Sequence, residues 1–199
     1  MKSVLISIRP KWCEKIASGE KTIEVRKTRP KMETPFKCYI YCTSGRPDLN
    51  IPISPERLMQ DYLDTGSMKS LNCPLGNGKV IGEFTCERIY EIRKRGIPEN
   101  FDYCYLSLNE WGNDDIETEI RAISASCVSK EKLNAYGAKA PLLYGWHISG
   151  LKIYDKPREL DWLRKPLECH RGNDRENCVG CWDCEIKRPP QSWCYVAEG

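Results

Sequence analysis

Apolar and polar positions alternate over residues 1–8. Val4, Ile6 and Ile8 share one face with Leu5 opposite, so a strand is expected to open the chain. The period then changes. Pro10 stands where a first helical turn tolerates a missing N–H, and Trp12, Cys13, Ile16 and Ala17 fall at helical spacing as one apolar stripe. Gly19 can take the left-handed conformation that closes such a helix. From Lys21 to Arg26 the run K-T-I-E-V-R alternates again, sending Ile23 and Val25 to one face and Thr22, Glu24 and Arg26 to the other. A short helix thus hands over, through one glycine, to a strand with a charged second face. A strand with one wet side produces the same pattern, and Glu24 and Arg26 would then be a solvated pair contributing little.

Further elements follow from the same reading. Residues 28–35 hold two prolines and read as a loop. Residues 37–43 form a strand, with Cys38, Ile40 and Cys42 on one face as core filler and Tyr39 and Tyr41 on the other. An insertion is expected at about 44–78, holding one helix that starts at Ser54-Pro55 with Leu58, Met59 and Tyr62 as its stripe. Asn77-Gly78 is a turn leading into one long strand over 79–92, where Gly82 suggests a bulge or a close backbone approach. Residues 93–126 give no clear period. Ser129 caps a helix to Tyr136 that Gly137 ends. Residues 142–154 read as two strands or one bent strand, with His147 as a hydrogen-bonded structural histidine.

At 199 residues the chain suits one domain with an insertion or a small appendage. The net charge of +3 is too small to argue for nucleic acid by itself, but its distribution is uneven. The first 37 residues carry ten lysines and arginines against four glutamates, an excess of six that is compatible with phosphate contacts. No run approaches the roughly 20 apolar residues of a membrane span. The first ten residues reach a charge and a proline too soon for a secretory leader, so a cytosolic chain without membrane contact is expected. Its twelve cysteines should then be reduced.

Cys169, Cys178, Cys181 and Cys184 lie within sixteen residues, with Gly172 and Gly180 allowing tight turns. Four thiolates at this spacing suit a structural zinc that would fold a segment poor in apolar residues. An iron–sulfur cluster is the alternative, because C-x2-C-x2-C opens the bacterial ferredoxin run, although Arg188 stands where its fourth cysteine would be. Free thiols are the third reading.

The run G-E-K-T-I-E-V-R at residues 19–26 matches the G-x-K-x-x-E-x-R signature of the ASCH domain, a member of the PUA-like superfamily. S-I-R-P-K-W, K-T-R-P-K and Y-G-W-H-I-S-G-L-K-I-Y-D-K-P also resemble bacterial and phage-type ASCH proteins. The resemblance implies an α+β fold: a PUA-like mixed β-barrel with flanking helices over 1–165 and a closing barrel strand over 189–199 that contains Cys194, while the cysteine spacing places a metal-binding knuckle over 166–188 between them. It also implies a cleft lined by Lys21, Glu24 and Arg26, with Glu83 contributed by V-I-G-E-F. Such a cleft would bind RNA or a nucleotide-like molecule. Lys21 and Arg26 would meet phosphate or carbonyl oxygens, Glu24 would accept from a base amino group or orient Lys21, and Trp12, Trp146 or Trp193 would stack a base.

One alternative is a small hydrolase, either a ribonuclease or an amidohydrolase, with Lys21, Glu24 and Glu83 as catalytic groups. The amidohydrolase branch uses a threonine nucleophile three residues after its lysine, and this chain has Glu24 there. A protein-interaction module is the second alternative.

Overall fold

The computed structural model describes residues 2–44, 63, 76–97, 100–106, 124–138, 140–166 and 184–198. Along the chain run β1 (Ser3–Ile8), α1 (Pro10–Ala17), β2 (Ile23–Arg26), β3 (Phe36–Cys42), β4 (Lys79–Cys86) and β5 (Ile89–Ile97). After them come β6 (Asn100–Leu106), α2 (Lys130–Gly137), β7 (Leu142–His147), β8 (Ser149–Arg158), β9 (Leu163–Arg164) and β10 (Trp193–Glu198). Two compact units result. The first comprises Met1–Glu14, Lys37–Phe84 and Leu151–Gly199, and the second comprises Lys15–Phe36 and Thr85–Gly150. No helix among the described residues is long and apolar enough to cross a membrane.

The first unit is a six-stranded sheet in the order β8-β4-β3-β1-β10-β9. β1 lies inside it, parallel to β3 with Val4 opposite Cys38, and antiparallel to β10 with Ser3 opposite Val196. All six of its residues are buried, so both faces are covered. Ser7 meets this burial by donating its hydroxyl to the Pro190 carbonyl at 2.6 Å. Cys38 and Cys42 are buried as expected, but the tyrosine face of β3 is buried too. Tyr39 and Tyr41 join a core with Leu5, Val80, Leu163 and Val196.

Gly82 meets the expected close approach. A Cβ there would lie 2.4 Å from the Lys152 carbonyl oxygen on β8. That oxygen is backbone and cannot swing aside, so Gly82→Ala should destabilise the fold by about 1–3 kcal/mol or more. A lowered urea midpoint would register the loss, and an unchanged one would mean that the two strands part easily.

The phenols of this core are titration-sensitive. Trp162 packs edge-on against Tyr39, ring centroids 5.3 Å apart, and against Tyr154 at 6.4 Å. The Tyr39 hydroxyl donates to Glu198, and that of Tyr154 donates to Glu83 at 2.7 Å. Burial first, and the neighbouring carboxylates second, push both phenols well above the ordinary value of 10.0. A raised folded value stabilises the fold below the unfolded one and loses that contribution as pH rises beyond it. Denaturation series carried from neutrality past 10.0 should therefore show stability falling on the alkaline side. Tyr154→Phe should flatten that fall, and an identical slope in the variant would count against the assignment.

The expected single strand over 79–92 is two strands. β4 belongs to the six-stranded sheet and β5 to the other, with the exposed charges of Glu87 and Arg88 breaking the apolar pattern between them. The split at Ile148 likewise favours two strands over one bent strand for residues 142–154. Gly78, at φ 80°, forms the expected turn and donates its N–H to the Cys42 carbonyl. The helix expected at Ser54 lies outside the described residues.

The second unit is a four-stranded sheet, β2-β7-β5-β6. Ile23, Val25, Ile92, Leu133 and Leu143 form its core. Ser129 caps α2 by accepting from the Lys132 N–H at 3.4 Å, as expected, although the left-handed residue that ends the helix is Ala138 at φ 46° rather than Gly137.

Candidate functional site

The site begins with the chain reversal after α1. Gly19 sits at φ 76°, and the Lys21 N–H reaches back to the Lys15 carbonyl at 2.8 Å. The Thr22 N–H then donates to the Ala125 carbonyl, and the Ile148 N–H to the Thr22 carbonyl, fixing the entry to β2. Ile23 and Val25 go to the core, as their alternation requires.

The opposite face departs from a solvated strand. Lys21, Glu24 and Arg26 are only 2%, 6% and 8% exposed. Lys21 Nζ donates to the Ile23 carbonyl at 2.8 Å and the Ser126 carbonyl at 2.6 Å, and lies 3.3 Å from Glu24 Oε2. The other carboxylate oxygen, Oε1, is 3.0 Å from an Arg26 Nη2. The result is a line of charges, positive–negative–positive, with one surplus positive charge. Taking such ions out of water is costly unless geometry and hydrogen bonds compensate, and here two carbonyls and a shared carboxylate do so.

Ser126 is the partner that sequence reasoning missed. It is fully buried, and its hydroxyl accepts from the Val128 N–H at 3.3 Å. The next residue, Cys127, holds φ at 55°, a conformation that non-glycine residues adopt at some cost. That turn fixes the carbonyl that receives Lys21.

Trp146 faces Glu24 across the β2–β7 ladder, so its side chain shares the face of Glu24 and Arg26. It is completely buried and meets Phe36 edge-on at 5.8 Å. This corrects the expectation of a stacking platform. The ring is a wall of the site and shows no open face to a base.

An exposed aromatic does stand nearby. Tyr136 on α2 is 40% exposed, and Lys27 Nζ lies 5.1 Å from its ring centroid. Burial raises its phenol, Arg26 pulls it down, and Glu24 pushes it up, so the phenol lies within the field of the ion pairs. Its only sequence signal was an aromatic in the last helical turn, just before Gly137.

Trp12 and Glu83 belong to the first unit. Trp12 is half-buried, with Lys11 Nζ 4.8 Å from its ring, and Glu83 accepts from Tyr154 and lies 3.6 Å from Lys37 Nζ. His147 is half-buried in the second unit, Nδ1 3.8 Å from a Glu87 oxygen, and its backbone N–H donates to the Arg88 carbonyl. Of the four tail cysteines, Cys169, Cys178 and Cys181 lie outside the described residues. Cys184 is half-buried, and its carbonyl accepts from the Lys165 N–H. Among the described residues no three metal-ligating side chains gather.

No family model matches the chain, and neither does any curated protein. Solved structures do. A serine-to-alanine variant of the ASCH protein from Zymomonas mobilis aligns at 17% identity over 98% of this chain and 88% of that one, with a TM-score of 0.50. The unsubstituted ASCH protein from the same organism aligns at 17% identity over 98% and 87%, with a TM-score of 0.46. At such identity the likeness concerns the fold.

Proposed function

We propose that this chain, which has the ASCH-domain fold of the PUA-like superfamily, is an RNA- or nucleotide-binding module. The observation that carries the reading is the buried Lys21–Glu24–Arg26 line with its surplus positive charge. A fold does not need such a group for packing, and departures of this kind concentrate at functional sites. In this reading Lys21 acts as a positioning residue, its donors engaged by Ile23, Ser126 and Glu24. Glu24 orients Arg26, whose guanidinium suits phosphate or carbonyl oxygens. Tyr136, in place of Trp146, supplies the stacking face.

A structural zinc held by Cys169, Cys178, Cys181 and Cys184 belongs to the same reading, as does a cytosolic setting that keeps thiols reduced. Four protein ligands leave that metal no open position for chemistry. Elemental analysis of the purified chain tests it, and iron with sulfide, or no metal at all, would count against it.

Titration with short single-stranded RNA tests the module. Binding by the wild type should weaken about tenfold or more in Arg26→Gln, whose Glu24 keeps Lys21 as its partner, if a charge-assisted contact is lost. Tyr136→Leu should weaken it by a similar factor, at about 1–3 kcal/mol per stacked base. RNA that is cleaved by the wild type and left intact by Arg26→Gln would make the chain an enzyme. No binding and no product would move the protein-interaction reading to the front.

A further inference from the structure

The loop after β2 and the start of β5 enclose an open pocket of about 590 Å3 in the second unit. Its size falls within the roughly 300–1,000 Å3 of small-molecule sites. Arg29, Lys31 and Arg88 line it as cations against one carboxylate, Glu33, so the described lining carries 3 − 1 = 2 surplus positive charges. Met32 and Ile89, both half-buried, add apolar surface between them. Arg29 follows Arg26 by three residues, so the same stretch of chain leads from the ion-pair line into the pocket wall.

We propose that this pocket binds a phosphomonoester carried on a nucleoside, either a free mononucleotide or the phosphorylated end of an RNA. The inference rests on the nucleotide-binding reading above and adds a subsite to it. The charge argues for a monoester over an internal diester. A monoester carries about −1.5 to −2 at neutral pH, close to the pocket's surplus, whereas a backbone diester carries a single charge. Two guanidiniums can each offer parallel N–H donors to phosphate oxygens, and Lys31 adds a point charge. The apolar surface of Met32 and Ile89 suits a sugar or base edge, which inorganic phosphate lacks. Glu33 lowers the affinity for anions in general, leaving the preference to ligands with enough charge to overcome it.

Calorimetric titration of the full chain tests the inference. The ligands are a nucleoside 5′-monophosphate, its nucleoside, inorganic phosphate, and one short RNA bearing either a 5′-phosphate or a 5′-hydroxyl. Each phosphorylated nucleoside or RNA should bind about tenfold or more tightly than its unphosphorylated counterpart. That preference should collapse in Arg29→Ala/Arg88→Ala. It should survive in Lys130→Ala/Lys132→Ala, which removes equal charge from the exposed surface of α2. A preference seen with the mononucleotide alone would identify the free nucleotide as the source, and one seen with both would identify an RNA end as well. RNA bound equally with and without its 5′-phosphate, still dependent on Arg26, together with a nucleoside and monophosphate of equal affinity, would overturn the pocket and leave the module standing. A monophosphate bound through Arg29 and Arg88, with RNA binding indifferent to Arg26, would keep the pocket and overturn the Arg26-centred reading. A preference that falls equally in the α2 control would reduce the effect to general charge and overturn the pocket.

Discussion

Lys21→Met should cost about 3–5 kcal/mol of folding stability, the range for removing one partner of a buried ion pair. The side chain is 2% exposed, and its ammonium satisfies the Ile23 and Ser126 carbonyls as well as Glu24. Methionine fills the volume and restores none of those contacts. Glu24 would be left with Arg26 as its one remaining ion-pair partner among the described residues, in a place where water cannot replace the lost one. Glu24→Gln in the Lys21→Met background should recover part of the loss, because a neutral amide no longer needs a cation. The double variant should thus be less damaged than the sum of the two single ones. Urea denaturation of the four proteins checks this, and a Lys21→Met chain as stable as wild type would remove the argument for a compensated buried charge. The result also bears on any binding assay. Ligand affinity lost in a Lys21 variant is not evidence that the ammonium touches the ligand, which is why Arg26 carries the functional test.

Trp146→Ala should be comparably damaging, at about 3–5 kcal/mol for truncating a large aromatic in a core. The indole is completely enclosed, edge-on to Phe36, and directly opposite Glu24 across the strands. Its removal opens a cavity beside the face that carries the ion pairs. Trp146→Phe should lose distinctly less, because it keeps an aromatic edge against Phe36. A stacking residue would behave in the reverse way, with affinity falling and the denaturation midpoint holding. That outcome would return Trp146 to the ligand and displace Tyr136.

The helix–glycine–strand unit around Gly19 was legible because the apolar period changes there and both periods are strong. What covers each face of β2 was not legible. Alternation separates Glu24 and Arg26 from Ile23 and Val25 without saying whether water or protein lies beyond. The answer depends on Ser126, 105 residues away from Lys21 in a stretch with no clear period. Trp146 was assigned to the ligand on residue type alone, and cross-strand register with complete burial makes it a wall. The division between β4 and β5 was hidden for a related reason. Glu87-Arg88 interrupts the alternation for only two residues, and only the pairing partners reveal that the chain has changed sheets there.

The pairing of β1 with β10 bears on the order of events at the ribosome. Ser3–Ile8 is synthesised well before Trp193–Glu198, yet they are hydrogen-bonded neighbours. Until the last strand emerges, β1 has one edge unpaired, with an apolar sequence that would invite association with other nascent chains. The four-stranded sheet has all its strands once His147 has been added. Synthesis from the N-terminus thus lets the unit holding Lys21, Glu24 and Arg26 close its ladder first, while the six-stranded sheet waits for β10. A circularly permuted chain that joins the two ends by a short linker and opens elsewhere would make β1 and β10 sequence neighbours. It would turn this long-range pairing into a local hairpin, and a faster approach to the native state is the expected consequence.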